Sequence, residues 1–263
     1  MSLQAEKLLE IPPLPENTIL LVEVGSTAHG TGLPGGEDRD ETGVVVESAV
    51  EVLGMNPRTR NVMQRTQPEG SRSGPGDVDR TLYSLRNFLR LCYDGNPSML
   101  MSLWAPIIDV TNAGQELRDH AHLFVGRHVI PRYRGYMQGQ ALKILGLKGS
   151  GGHGRRGGGG RQELIEQFGF DTKYAMHCAR LGFQCQELLT TGKLTLPIEH
   201  EYADWLRDLR QGRIAFDEWW VTVLDLDAQL GIMEKDSNFP LTADRAAIDK
   251  LSVNLHTWIW ERP

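Results

Sequence analysis

Cysteine is scarce in this chain, with three residues among 263. Cys92, Cys178 and Cys185 are too few and too irregularly spaced for a disulfide framework or a zinc-binding motif. The last two are seven residues apart, so on a helix they share one face and are expected in the core. The cysteines therefore indicate packing, not chemistry.

Long apolar runs are also missing. No segment approaches the ~18 consecutive apolar residues that indicate a membrane-spanning helix. The N-terminus has neither the basic block nor the apolar block of a secretion signal. We therefore expect a cytoplasmic protein that does not enter a membrane.

Charge is unevenly distributed along the chain. The net charge of -6 argues against a protein that coats nucleic acid non-specifically. Residues 118–161 nevertheless contain nine Lys or Arg against one acidic residue. This basic band is suited to a triphosphate or a polynucleotide backbone, and the alternative is a solvated helix face followed by a loop.

The most informative pattern is a glycine and a serine followed by two aspartates. An apolar, β-branched run at 18–24 predicts a buried strand, and Gly25 and Ser26 follow it at a turn where backbone can approach a phosphate. Asp38 and Asp40 then open a second extended run, and alternate residues of a strand face the same side. Two adjacent carboxylates suit Mg²⁺, although Asp is also common in ordinary turns.

A third carboxylate comes from a later extended segment. Residues 55–76 are rich in polar residues, Pro and Gly, and indicate a long excursion without regular structure. The chain then returns to a strand pattern at 77–84, in which Asp77 and Asp79 lie on one face. The alternation leaves both aspartates open as the third acidic residue.

These motifs together resemble those of a known superfamily. The segment 24–44 is similar to the signature of the DNA polymerase β-like nucleotidyltransferases, and most similar to predicted bacterial and phage members associated with RNA repair. Two helical motifs extend the resemblance, one at 82–97 and one formed by Lys173, His177, Arg180 and Leu181. The sequence departs from the family pattern at His29, Glu37 and Met101.

The resemblance implies an α+β fold, with a small mixed sheet and flanking helices at 1–108 and an all-helical domain at 109–263. It implies an enzyme that transfers NMP from an NTP to an acceptor hydroxyl, with an RNA 3′ end or tRNA favoured, and releases pyrophosphate. It favours Asp79 over Asp77, beside Asp38 and Asp40, as a ligand of Mg²⁺ or Mn²⁺. The implied nucleotide-binding residues are Gly25, Ser26, Lys173, His177 and Arg180.

Helical periodicity is the main local signal after residue 84. The pattern predicts helices at 98–104 and 132–147, one capped by Asp171 and ended by Gly192, and three more at 200–210, 217–234 and 243–260. Thr242 is the predicted cap of the last helix, and the tryptophans of these helices are expected to pack together. Eight glycines among residues 149–160 predict a flexible insertion. The segment lacks the lysine and hydroxyl of a phosphate-binding loop, so a flexible insertion is favoured over that function.

Other functions are compatible with the same residues. One is a non-catalytic nucleotide- or RNA-binding module, such as an antitoxin partner. Another is a nucleotidyltransferase that modifies a protein or a small molecule, and a third is a metal-dependent phosphohydrolase. The sequence does not specify the nucleobase, the donor nucleotide or the oligomeric state.

Overall fold

A five-stranded mixed sheet forms the N-terminal part of the protein. The fold is taken from a computed structural model, and the described residues are 11–32, 38–55, 61–67, 73–74, 76–146, 159–199 and 202–261. The strands lie in the order β3-β4-β2-β1-β5, with β2 and β4 parallel and the other neighbours antiparallel. Their bounds are Thr18–Val24 (β1), Arg39–Val45 (β2), Asn61–Arg65 (β3), Val78–Ser84 (β4) and Ile107–Val110 (β5).

Helices pack against the sheet and then form the C-terminal part. The fold class is the predicted α+β class. The helices that precede residue 120 are Gly25–His29 (α1), Ala49–Leu53 (α2), Leu85–Tyr93 (α3), Pro97–Ser102 (α4) and Asn112–Asp119 (α5). A 3₁₀ turn at Ala121–Phe124 leads to Val129–Ile144 (α6), Gly159–Phe168 (α7), Thr172–Thr191 (α8), Tyr202–Arg210 (α9), Phe216–Asp236 (α10) and Arg245–Trp260 (α11).

The predicted strands at the centre of the sheet are confirmed. Residues 18–22 of β1 are buried because both faces of this strand are covered. Gly25 and Ser26 do not form the expected turn, however. They begin the short helix α1 directly, and Gly30 ends that helix in the left-handed conformation.

Two strands, β3 and β5, were not predicted from the sequence. β3 lies inside the segment 55–76 that was expected to be irregular, and that expectation was wrong. Its first three side chains are exposed, so it lacks apolar alternation and is held by the ladder to β4. β5 covers the other side of β1, and the proposed division between residues 108 and 109 falls inside it.

The helical half follows its predicted periodicity with local differences. Asp171 caps α8 through a bond from the Tyr174 amide, as predicted. α11 is capped by Asp244 and not by Thr242, because the Asp244 carboxylate accepts the Ala247 amide. Residues 149–158 of the glycine-rich segment lie outside the described residues, and α7 begins at Gly159.

Burial divides the tryptophans and confirms the cysteines as core residues. Cys178, Cys185 and Trp219 are fully buried between helices. Trp258 and Trp260 are 43% and 36% exposed, so the expectation that the tryptophans pack together is wrong for these two residues. None of the helices described is both long enough and apolar enough to cross a membrane.

The C-terminal helix α11 is anchored to the end of the β2 strand. Glu47 is buried, and its carboxylate lies 3.0 Å from Arg86 Nε and 3.3 Å from His256 Nε2. Trp260 Nε1 donates to the Glu47 carbonyl at 2.8 Å. This residue therefore ties α11 to α3 and to the strand that carries Asp40.

Acid is expected to weaken this anchor. Burial alone would raise the pKa of Glu47, but the hydrogen bonds from His256 and Arg86 lower it from 4.5 to about 2. Because the folded pKa is depressed, the stabilisation is complete above pH ~4.5 and is lost as the pH falls towards 2. Urea unfolding at pH 7, 5 and 3 should therefore show that, between pH 7 and pH 3, wild type loses about 2 kcal/mol more than Glu47→Gln. Parallel losses in the two proteins would contradict this role.

Candidate active site

Three aspartates meet at the ends of two neighbouring parallel strands. Asp40 on β2 lies opposite Asp79 on β4 in the parallel register, and Asp38 immediately precedes β2. One carboxylate oxygen from each residue lies within 4.8 Å of the other two. The alternation that placed Asp38 and Asp40 on one face thus brings both of them to Asp79.

Gly25 forms one wall of this acidic site. Its φ of +74° lies in the left-handed region that favours glycine. A Cβ at this position would stand 2.4 Å from Asp40 Oδ2, which is well inside van der Waals contact. A glycine therefore lets the start of α1 approach the Asp40 carboxylate.

Asp79 is the best-anchored carboxylate of the three. Arg65 on β3 binds both of its oxygens, with Nε 2.7 Å from Oδ1 and Nη2 3.1 Å from Oδ2. Gln67 donates to Oδ1 at 2.9 Å and Ser73 donates to Oδ2 at 2.6 Å. The hydrogen bond from Arg65 is the largest cause that lowers the pKa of Asp79, so this carboxylate is held ionised.

Asp77, the alternative third carboxylate, has a different role. Its Oδ1 accepts from the Thr66 hydroxyl at 3.0 Å, and its Oδ2 accepts from the Gly74 amide at 2.8 Å. These bonds close the connection between β3 and β4. The structure therefore brings Asp79 to the acidic site and uses Asp77 to shape the loop beside it.

Asp40 has the opposite electrostatic environment to Asp79. Burial is the largest cause that raises its pKa, followed by the negative charges of Asp38 and Asp79, and the pKa reaches about 6. Lys173 and Arg65 oppose the shift without cancelling it. The site thus carries more negative charge than its own cations neutralise.

A divalent cation is expected to stabilise the protein in a pH-dependent manner. Because the folded pKa of Asp40 is raised, the folded state retains a proton between pH ~4 and 6, and stability falls as the pH rises through that range. With solvent screening, the ionised Asp40 costs about 1 kcal/mol, or roughly 2–4 °C in Tm. Calorimetry should show a larger gain from MgCl₂ at pH 8 than at pH 5, and a higher Tm in EDTA for Asp40→Asn. An equal gain at both pH values would contradict this charge balance.

Lys173, His177, Arg180 and Gln184 follow one another along one side of α8 and form a polar stripe. This stripe runs from the acidic site into the protein. Lys173 is exposed, and its charge acts on Asp40. His177 is half-buried, and its Nδ1 lies 3.0 Å from Arg180 Nη2. Gln184, the last member of the stripe, is fully buried. The stripe is therefore not an ordinary solvated face.

Arg180 connects this stripe to α1. Its Nη1 donates to Nε2 of the buried His29, while its Nε is buried and forms no hydrogen bond. Burial is the main cause that lowers the pKa of Arg180, to about 10, and burial also lowers the pKa of His29. No carboxylate contacts Arg180 among the residues that the structure describes. His29, one of the departures from the family pattern, thus pairs with this guanidinium.

Three cations of the basic band at 118–161 are bonded within the fold. Arg134 pairs with Asp227 at 2.8 Å and with Glu234 at 3.4 Å. Arg118 and Arg127 donate to backbone carbonyls. These three side chains therefore hold parts of the fold together. The alternative prediction, that they form a solvated helix face, is wrong for them.

Sequence reasoning missed the residues that support Asp79. Arg65, Gln67 and Ser73 lie in the segment 55–76 that was interpreted as irregular. No local pattern marks these residues, because Arg65-Thr66-Gln67 is polar throughout and lacks the apolar alternation of a strand. Only the register of β3 against β4 places Arg65 beside Asp79.

The donor set fits a hard divalent cation. Mg²⁺ takes oxygen ligands at ~2.0–2.1 Å in an octahedron, which requires carboxylate oxygens to approach within roughly 3–4 Å of each other. Three carboxylates within 4.8 Å need only small side-chain rotations to reach that geometry. Burial first, and then the charges of Asp38 and Asp79, raise the pKa of Asp40, and a bound cation would oppose both effects.

The sheet and the site together define a protein class. The residues that carry the resemblance to nucleotidyltransferases are Gly25 and Ser26 after β1, Asp38 and Asp40 at the start of β2, and Asp79 on β4, and the sheet brings the three aspartates together. The model of the RNA repair pathway DNA polymerase beta family matches residues 4–218, and this chain belongs to that family. The predicted superfamily is confirmed.

Two further comparisons concern individual proteins. An uncharacterized 38.9 kDa protein of Enterobacteria phage T4 is 29% identical over 138 residues, which are 51% of this chain and 40% of that protein. The aligned part is thus less than half of that relative. A nucleotidyltransferase-like protein from Exiguobacterium sibiricum, solved by crystallography, covers 92% of this chain and 83% of its own, with a TM-score of 0.33 and 9% identity.

Proposed function

We propose that this protein is a divalent-cation-dependent nucleotidyltransferase that joins NMP from an NTP to an acceptor hydroxyl. The observation that carries the proposal is the meeting of Asp38, Asp40 and Asp79 beside the glycine that starts α1. Three converging carboxylates suit catalysis by placement and charge neutralisation, which requires no covalent nucleophile. Family membership supports this reaction class.

The reaction is an in-line substitution at phosphorus. The oxygen of the acceptor hydroxyl bonds to the α-phosphorus, the bond from that phosphorus to the α,β-bridging oxygen breaks, and pyrophosphate leaves. Asp38, Asp40 and Asp79 would hold Mg²⁺, which supplies charge neutralisation at the phosphates and acidifies a bound hydroxyl. The proton of the acceptor hydroxyl would pass to Asp79 once one of its oxygens is released from Arg65, Gln67 or Ser73, and from there to solvent.

Positive charge for the triphosphate comes from one side of the site. Lys173 is exposed beside Asp40, and His177 lies one turn further along α8. We assign phosphate contacts to these two side chains and to the backbone at Gly25 and Ser26. Arg180 is buried against His29, where it adds positive charge behind the proposed phosphate contacts and holds α1 in place.

The acceptor that we favour is an RNA with a free 3′ hydroxyl. The family description names an RNA repair pathway, which supports RNA over other acceptors. Because Arg118, Arg127 and Arg134 are bonded within the fold, the basic band adds little support for a long polynucleotide track.

Label transfer tests both the reaction and the acceptor. The full chain is incubated with Mg²⁺, each α-labelled NTP, and RNA that has either a free or a blocked 3′ end. We expect label on the free-ended RNA together with pyrophosphate. Label on protein or on a small molecule would redirect the acceptor assignment.

Two other outcomes would replace the proposal. Nucleotide binding without label transfer to any acceptor would indicate a non-catalytic binding module. Release of inorganic phosphate without pyrophosphate would indicate a phosphohydrolase.

A further inference from the structure

Arg65 is a cation already seated on the acidic site. It lies on the edge strand β3, directly opposite Asp79 in the antiparallel register. Its guanidinium binds both carboxylate oxygens in a bidentate pair, at 2.7 and 3.1 Å. Such pairs are among the strongest and most directional in proteins.

The pair occupies the oxygens that a metal ion would use. Asp79 also accepts bonds from Gln67 and Ser73, so its two oxygens receive four donors. A carboxylate oxygen offers about two acceptor positions, which these donors fill. A cation that binds Asp79 must therefore displace at least one of them.

Arg65 is also able to leave. Its side chain is 36% exposed, compared with 19% for Asp79, and an edge strand has solvent on its free side. Among the residues that the structure describes, none donates a hydrogen bond to Asp38 or Asp40 as Arg65 does to Asp79, and the charges of Arg65 and Lys173 reach Asp40 only through space. The three carboxylates therefore differ in their hydrogen-bond partners before any cation binds: Asp79 is paired with a cation and, within the described part of the chain, the other two are not.

We propose that Arg65 is a built-in counter-cation of this site, which competes with the divalent cation for Asp79. Asp38 and Asp40 bind the cation first, and Asp79 joins when its pair with Arg65 opens. Arg65 is thus a positioning residue that sets the cation affinity of the free protein. This inference rests on the cation site of the proposed function.

Mn²⁺ titration of the nucleotide-free protein, followed by electron paramagnetic resonance, tests this competition. Arg65→Gln removes the positive charge but keeps an amide group that can donate a hydrogen bond to Asp79. Gln67 already donates to Asp79 in this way. We expect Mn²⁺ to bind Arg65→Gln on the order of tenfold more tightly than wild type, because Asp79 no longer has to be released from a charged bidentate partner. If Arg65 served only to orient Asp79 as a ligand, binding would weaken instead.

A double-mutant cycle separates competition from simple repulsion. In an Asp79→Asn background the change at Arg65 should alter Mn²⁺ affinity by less than about threefold, since no carboxylate remains to be released. Lys173→Gln is the matched control, because it removes a charge that acts on Asp40 only through space. It should tighten binding by no more than about threefold. Circular dichroism and thermal melting confirm that each variant is folded.

Two results would overturn the inference while leaving the cation site intact. One is unchanged or weaker Mn²⁺ binding by Arg65→Gln, and the other is equal tightening with and without Asp79. Absence of Mn²⁺ binding in every folded protein would instead remove the cation site itself, and the proposed function with it.

Discussion

Replacing Asp40 with asparagine is expected to lower the rate of nucleotidyl transfer by at least roughly 10³-fold. Removal of one hydrogen-bond donor that stabilises a transition state costs about 10²- to 10³-fold, and loss of a cation ligand should cost more. The substitution preserves shape but removes the charge at the centre of the acidic cluster. Because the raised pKa of Asp40 shows that its ionised form is disfavoured in the free protein, the variant should fold at least as stably as wild type. Initial rates of labelled product formation at saturating Mg²⁺ measure the loss.

Asp77→Asn is the matched control for that experiment. Asp77 lies in the β3–β4 connection, and its carboxylate bonds to the Thr66 hydroxyl and the Gly74 amide and does not join the acidic cluster. We expect Asp77→Asn to cost stability while its transfer retains the Mg²⁺ dependence of wild type. Asp38→Asn should behave as Asp40→Asn does. Wild-type activity in either of these two variants would mean that the site has been assigned to the wrong residues.

Gly25→Ala is expected to reduce transfer by at least about 100-fold through displacement of Asp40. The new methyl would stand 2.4 Å from Asp40 Oδ2, so the carboxylate must move. Misplacement of a reacting group by ~1 Å is worth about 10²-fold in rate. The positive φ of +74° adds roughly 1–2 kcal/mol of backbone strain, which lowers the melting temperature as well. Steady-state rates and melting curves of the same preparation separate the two effects.

Gly30→Ala is the control that isolates the contact with Asp40. Gly30 ends the same helix with a φ of +67°, and a Cβ there would meet only Pro197, at 3.2 Å. It should lose a similar amount of stability and keep transfer within about threefold of wild type. Equal losses of activity in the two variants would assign the effect to strain in α1 and not to the carboxylate.

The part of the site that follows local rules was predictable from the sequence. Asp38 and Asp40 share a face because a strand alternates its side chains, and this holds whatever lies next to the strand. Asp171 and Gly192 bound α8 because capping depends on neighbouring residues. Asp79 and Asp77 were indistinguishable by alternation, and the family pattern separated them.

The rest depends on contacts between distant residues. The pair of His29 and Arg180 joins residues 151 positions apart, and neither has a local reason to be buried. β3 was missed because an edge strand can be stabilised by backbone bonds while Val62 and Met63 remain exposed. Since Arg65 lies on that strand, missing the strand also concealed the partner of Asp79.

The assignment of Arg180 changes in a related way. As part of a stripe with Lys173 and His177, it was predicted to contact nucleotide directly. In the structure its guanidinium is enclosed by His29, His177 and Gln184. Direct contact with phosphate is therefore proposed for Lys173 and His177, while Arg180 joins the helical part of the chain to the helix that carries Ser26.

The central claim is that three aspartates drive transfer of a nucleotidyl group, and its most direct test is to measure both products of one reaction. Wild type and Asp40→Asn are incubated with α-labelled NTP, Mg²⁺ and an RNA with a free 3′ end, and pyrophosphate and incorporated label are quantified together. We predict equal molar amounts of the two products from wild type, and neither product from Asp40→Asn above the level in EDTA. Bound nucleotide with no pyrophosphate from wild type, or equal pyrophosphate release by the two proteins, would contradict the claim.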